Sequence, residues 1–251
     1  LLVSYLRSSK IDGAKHTGAI LSLLVKRLRH AWPKVKIIFR GDSGFCRHKM
    51  LSWCERNDVN YVVGLAKNKR LNTFSYELQQ QAEEQFQKTG NKQRLFCEFR
   101  YAAKSWGQKR CVVAKSEHTA KGSNPRYLVT NLDGDPQELY DKLYCARGDM
   151  ENRIKEQQLD LFADRTSCHN WWANQFRLLL ASLAYTLLET IRRVALPGTE
   201  MAKAQCNTIR LKLLKVGGVI VKNTRRIRFL LSSAYPYQKL FQHVTEKLNS
   251  T

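Results

Sequence analysis

The chain has 251 residues, enough to bury a full hydrophobic core in one large domain or in one domain carrying an insertion. Hydrophobic residues make up 43% of it, with ten Tyr and ten Phe, a composition that excludes a disordered chain. Lys and Arg number 43 against 21 Asp and Glu, and the resulting formal charge of +22 points to an anionic partner, nucleic acid first.

Residues 1–6 alternate weakly and suggest an edge strand. Ile20, Leu23, Leu24, Leu28 and Trp32 then recur at helical spacing, with Asp12 as an N-cap and Pro33 beyond the last turn. "KVKIIF" reads as a strand, the stretch from Phe45 to about Arg56 as a helix and "NYVVGLA" as a second strand. That is a β-α-β unit with parallel strands. From about Lys67 the pattern changes to a polar helix, "ELQQQAEEQFQ", closed by "TGN". Three β-rich pieces follow, "QRLFCEFRYA", "KRCVVAKSE" and "PRYLVTNL", separated by the turn-like "SWGQ" and "AKGSN".

After "DGDP" one long helix is expected from about Gln137 to Phe162 and a second from about Trp171 to Val194. In the second, Phe176, Leu180, Leu183, Leu187, Ile191 and Val194 lie at core spacing, and Trp171 and Trp172 at its start read as core packing. A third helix, from about Glu200 to Lys215, precedes "GGVIVKNTRRIRFLLSS", a hairpin turning at "NTRR", and a short amphipathic helix ends the chain.

The seven cysteines show no C-x-x-C and no zinc-like spacing, which indicates reduced thiols. The most apolar helix has eleven residues between Arg177 and Glu189, against the ~20 that a membrane span requires. From residue 201 onward ten basic residues face one acidic one. Lys222, Arg225, Arg226 and Arg228 around the hairpin turn are therefore candidate phosphate contacts. Trp106, beside Lys104, Lys109 and Arg110, is a candidate for stacking on an unpaired base.

Two carboxylates stand out as candidate chemistry. Asp42 follows the strand "IIFRG", at the end where parallel sheets place their sites. On a helical rotation of ~100° per residue, Tyr144, Arg147, Glu151, Lys155 and Gln158 form one polar stripe. Leu139, Leu143, Met150, Ile154 and Leu161 form the adjoining core stripe, so Glu151 should border the core. Asp149, Glu156 and Asp160 fall nearly opposite and should face solvent. Several carboxylates holding two divalent ions ~4 Å apart is the requirement of two-metal phosphoryl transfer. The plainer reading of Glu151 is an ion-pair ladder with Arg147 and Lys155.

"FRGDSGFCR", "YVVGLAKN", "YCARGDME" and "ADRTSCHNWWANQFRLLLASLAY", matching in order, resemble bacterial insertion-sequence transposases of the DDE class, specifically the thirteen-eighty family. The resemblance implies an α/β, ribonuclease H-like core with a β-rich insertion between the second and third acidic residues, and a helical C-terminal region. It implies metal-dependent cleavage of transposon ends and transfer of the freed 3′-hydroxyl into target DNA. Asp42 then matches the second aspartate and Glu151 the final glutamate, both metal ligands for two Mg²⁺ or Mn²⁺ ions. Tyr144, Arg147 and Glu151 fit the signature Y-(2)-R-(3)-E-(6)-K, whose lysine position holds Gln158; Lys155, one turn earlier, is the substitute.

The expected division is 1–66 for part of the core, 67–133 for the insertion, 134–196 for the rest of the core with the glutamate helix, and 197–251 for a basic C-terminal region. The family's first aspartate has no match after Leu1, so the chain reads as N-terminally truncated and inactive by itself. The alternative is a nonenzymatic DNA-binding relic. Implied partners are double-stranded DNA and, in the synaptic complex, a second copy; no membrane is implied. The expected location is the bacterial cytoplasm, at the nucleoid when DNA-bound.

Overall fold

The computed structural model describes residues 1–250 as two compact units, 9–149 and 1–8 with 150–250. In the first, α1 (Thr17–Ala31) leads to β1 (Ile38–Gly41), a 3-10 turn (Ser43–Phe45), α2 (His48–Arg56) and β2 (Asn60–Leu65). α3 (Lys69–Phe74) and α4 (Tyr76–Thr89) precede β3 (Gln93–Tyr101), β4 (Arg110–Thr119), the short β5 (Gly122–Ser123) and β6 (Arg126–Thr130). β1 and β2 pair in parallel, as the β-α-β reading requires, and β6, β4 and β3 extend them in antiparallel pairing to give the order β1-β2-β6-β4-β3, with β5 on β4. The strands from the 67–133 stretch thus continue the sheet that β1 and β2 begin.

Period-two alternation decides what each sheet face meets. Tyr61 and Val63 of β2, Val112 and Ala114 of β4, and Tyr127 and Val129 of β6 pack with Val25, Leu51, Cys54 and Leu71 from the helices. On the other face Val62, Val113 and Leu128 meet Leu139 and Tyr140. Asp12 is not the N-cap of α1, which starts five positions later: its Oδ1 accepts from the Ala14 N–H at 2.9 Å and its Oδ2 pairs with Arg47. Leu23 and Trp32, expected in the core, are exposed, and Val25 is the buried residue of that helix.

The helix expected over 137–162 is interrupted. α5 (Pro136–Glu138) runs into a π-helical turn (Leu139–Tyr144), a break follows at Cys145–Ala146, and α6 (Arg147–Lys155) ends in a second π turn (Glu156–Asp160). Each π turn inserts about one residue, which rotates everything beyond it by roughly 100° relative to a uniform wheel. The burial pattern changes accordingly. Met150, Ile154 and Glu151 are exposed, whereas Glu156, expected in solvent, is buried.

In the second unit α7 (Trp171–Val194), α8 (Cys206–Ile209) with its π turn (Arg210–Leu214), and α9 (Gln238–Asn249) share a core of Tyr185, Leu188, Leu196, Met201, Ile209, Leu213 and Val244. α7 has the expected bounds, yet Phe176, Leu180, Leu183 and Leu187 are exposed, and so are Trp171 and Trp172. The buried side carries Asn174, Gln175, Ala181, Tyr185, Leu188 and Arg192. Polar bonds select that side: Asn174 brackets the Cys168 backbone at 3.0 and 2.7 Å, and Gln175 holds the Leu6 N–H at 2.8 Å and the Ser4 carbonyl at 3.3 Å. Residues 1–6 are therefore docked by side chains and form no strand. β7 (Gly218–Lys222) and β8 (Ile227–Leu231) make the expected hairpin, exposed throughout.

At the centre of this unit the Glu156 carboxylate accepts from Arg192 Nη2 at 2.5 Å and from the Cys206 N–H at 3.1 Å. Removing the guanidinium leaves the buried carboxylate only the longer contact from Arg153, at 3.4 Å, and the Cys206 amide, so Arg192→Met should lower the unfolding free energy by about 3 kcal/mol. The double variant Glu156→Leu/Arg192→Met should lie closer to the parent, as urea unfolding will measure.

In the other unit Glu55 receives Arg110 at 2.6 and 2.9 Å, Tyr61 at 2.8 Å and Gln108 at 2.7 Å. Burial alone would raise its pKa, but the hydrogen bonds from Arg110 and Tyr61 outweigh burial and hold the carboxyl below the usual range. A carboxyl depressed on folding stabilises the protein above its unfolded pKa of about 4.3 and loses that contribution as pH falls through the lower folded value. The stability gap between parent and Glu55→Gln, followed by denaturant unfolding against pH, should be full at about pH 7 and shrink as pH falls below the unfolded carboxyl pKa of about 4.3.

Candidate functional site

β1 ends at Gly41, and Asp42 turns the chain into Ser43–Phe45. Its backbone is extended, and its Oδ1 accepts the Gly44 N–H at 2.8 Å, the capping bond that a loop aspartate at this position would make. Among the described residues the other carboxylate oxygen makes no hydrogen bond. The aspartate is half-buried at the carboxyl end of two parallel strands.

The π turn brings Tyr144 to this place. A Cβ built on Gly64 of β2 would lie 2.6 Å from the Tyr144 hydroxyl, 3.0 Å from the Ser43 nitrogen and 3.3 Å from the Asp42 carbonyl carbon. Strand, turn and tyrosine thus converge on a residue without a side chain. Arg40 of β1 fastens the same helix segment by donating to the Leu143 carbonyl at 3.1 Å. Burial pushes the Tyr144 phenol up, Asp42 adds to the rise, and Arg147 opposes it. The Arg147 guanidinium lies 5.8 Å from the Tyr144 ring centroid, within cation–π range.

Three of the sequence candidates, Asp42, Tyr144 and Arg147, are therefore neighbours in one unit. Glu151 and Lys155 follow on α6, both exposed, in the second unit. Among the described residues no group of three His, Cys, Asp or Glu is arranged to hold a metal ion. At the hairpin, Asn223 Oδ1 accepts from the Arg225 and Arg226 amides at 3.0 and 2.7 Å and so shapes the basic turn. Lys222 pairs with Ile227 and Arg228 with Val221, which puts these two cations on opposite faces of the ribbon. Trp106 is half-buried, edge-on to Tyr101 at 5.7 Å and under the Arg110 guanidinium at 5.1 Å. Cys54 is buried and Cys46 half-buried, and burial pushes both thiols up to about 11, which leaves them protonated and inert.

Beside Asp42 lies a cavity of about 640 Å³ that the sequence motifs do not announce, lined by Ser43, Lys67, Lys115, Arg126 and Tyr144 among others. Its one sequence signal is a lysine at even spacing after Val113 in "VVAK", on the face that is otherwise apolar.

A mixed sheet with a carboxylate at its parallel strand ends, backed by Tyr144 and Arg147 and bordered by cations, makes this an α/β protein with a charged site at the edge of its sheet. The family model described as Transposase DDE domain group 1 matches residues 1–251, and the chain belongs to this family of transposases. Its class of function is accordingly DNA cleavage and transfer in transposition. No curated protein matches the chain. No helix is long and apolar enough to cross a membrane among the described residues.

Gly64→Ala should force Tyr144 and the Asp42–Ser43 turn apart and cost about 1–3 kcal/mol in denaturant unfolding. Adding Tyr144→Phe, which deletes the oxygen met at 2.6 Å, should recover part of that loss.

Proposed function

We propose that this chain is the catalytic part of an insertion-sequence transposase of the thirteen-eighty type, with a ribonuclease H-like core in which Asp42 is the second acidic residue and Glu151 the last. The observation that carries this reading is the meeting of Asp42, Tyr144 and Arg147 at the ends of two parallel strands, in a chain matched throughout by a DDE transposase family model. The reaction is cleavage at transposon ends followed by attack of the freed 3′-hydroxyl on target DNA, with two copies in the synaptic complex.

Asp42, in one unit, and Glu151, in the other, are the carboxylates assigned here as ligands for divalent ions. Their hard carboxylate oxygens suit Mg²⁺ or Mn²⁺, and Asp42 keeps one oxygen outside its capping bond. Such ions, when bound, activate the attacking oxygen and stabilise the leaving one. The protein's own groups supply position and charge. Gly64 and the Gly44 amide fix the Asp42 carboxylate, Arg147 offers a cation to phosphate oxygens, and the raised Tyr144 stays a neutral hydrogen-bond donor at neutral pH. Lys155, one turn beyond Glu151, takes the lysine role of the signature. The basic turn with Lys222, Arg225, Arg226 and Arg228 contacts duplex phosphates. The partly exposed edge of Trp106 is the candidate base-stacking surface.

A nonenzymatic DNA-binding role is the second reading, in keeping with the +22 charge and the basic hairpin turn. Asp42→Asn and Glu151→Gln, each in the active transposase containing this sequence, should cut Mg²⁺-dependent cleavage of labelled transposon ends by on the order of 10³-fold while end binding persists. Cleavage retained in either variant rejects the assignment; binding with no cleavage by the parent protein selects the nonenzymatic reading.

A further inference from the structure

The cavity beside Asp42 arises where one sheet face changes character. Val62, Val113 and Leu128 pack under Leu139 and Tyr140. One rung nearer the carboxyl ends of β2 and β4, the same face carries Lys115 directly opposite Arg126. Like charges opposed across a ladder destabilise a sheet. Here the cost is compounded, because Lys115 is buried, its side chain 8% exposed, with its ammonium 5.2 Å from the Tyr140 ring centroid.

The local anion offsets only part of this charge. Glu117 accepts from Lys115 at 3.0 Å, but it also pairs with Lys92 at 2.5 Å. Lys67, just beyond β2, enters the cavity from the side and donates to Asn124 Oδ1, a neutral partner, at 3.3 Å. Arg126 is exposed at the mouth and makes no ion pair among the described residues. Three cations against one shared carboxylate line a concave site that also contains Ser43, the residue after Asp42.

We propose that Lys67 and Arg126, backed by the buried Lys115, bind the DNA backbone on the strand that runs past Asp42, taking two of its phosphodiesters. This rests on the transposase reading for the identity of the anion, and it adds a substrate-binding subsite distinct from the hairpin. Exposed Lys67 and Arg126 make the contacts. Lys115, held by Glu117 and Tyr140, contributes a fixed positive field without moving.

The test measures binding of a fluorescein-labelled 30-base-pair duplex by anisotropy across a salt series, in EDTA so that cleavage plays no part. Each phosphate contact contributes about 0.9 to the slope of log K against log salt, so Lys67→Ala/Arg126→Ala should flatten it by about 1.8 and Arg126→Gln alone by about 0.9. A control of equal charge, Lys26→Ala/Arg27→Ala on the exposed side of α1, should leave the slope within its error. An unchanged slope in the pocket variants, or an equal change in the control, overturns the proposal. So does inorganic phosphate, at constant ionic strength, displacing the duplex from the parent and from the pocket double variant alike. A flattened slope in a protein whose parent form fails to cleave would count against the enzyme reading while upholding the pocket.

Discussion

A methyl group at position 64 would fall 2.6 Å from the Tyr144 hydroxyl and 3.0 Å from the Ser43 amide, so three separate pieces of chain can touch only because this residue has none. Tyr61, Val62 and Val63 before it in β2 are fully buried on the two faces of the sheet, and Gly64 is the gap that follows them. Tyr144 fills the gap. Its ring then offers a face to Arg147, while the turn at Asp42 is pressed against the strand that holds it level with its neighbours. The position of the carboxylate follows from this packing as much as from its own capping bond to Gly44.

The same sheet face explains how a basic protein concentrates charge near a carboxylate without losing its core. Rungs at the middle of the sheet are apolar and covered by the π turn; the rung at the carboxyl ends of the parallel strands carries Lys115 and Arg126. Strand alternation keeps these cations in line with Val113 and Leu128, so the polar edge is a continuation of the hydrophobic face and not a separate surface loop. The Lys115–Glu117–Lys92 chain keeps the buried ammonium tolerable.

The other unit is organised by a different interaction. Glu156 sits between Arg192 and the Cys206 amide, and Arg192 also reaches Glu189 at 3.0 Å. Satisfying this buried pair fixes which side of α7 turns inward, and Asn174 and Gln175 fix the same side nearer its start by gripping the chain around Cys168 and Ser4. Phe176, Leu180, Leu183 and Leu187 are left outward, an apolar stripe far more contiguous than the scattered exposed leucines of an ordinary surface.

Local pattern by itself determined the β-α-β opening, the strands between 93 and 130, the bounds of α7 and the hairpin turning at Asn223–Arg226, because alternation, turn residues and apolar runs act over a few residues. It also marked Asp42, since a strand ending in Gly-Asp-Ser-Gly reads the same whatever packs on it. Tertiary structure alone decided the rest. The π turns shifted the helical phase around Tyr144–Asp160, so a uniform wheel misplaced Glu156 and Met150. Hydrogen bonds to distant backbone overruled the apolar periodicity of α7. Gly64, Lys67, Lys115 and Arg126 acquire a common location only through strand order β2-β6-β4, in which residues sixty positions apart become adjacent; spacing along the chain carries no record of which strands will pair.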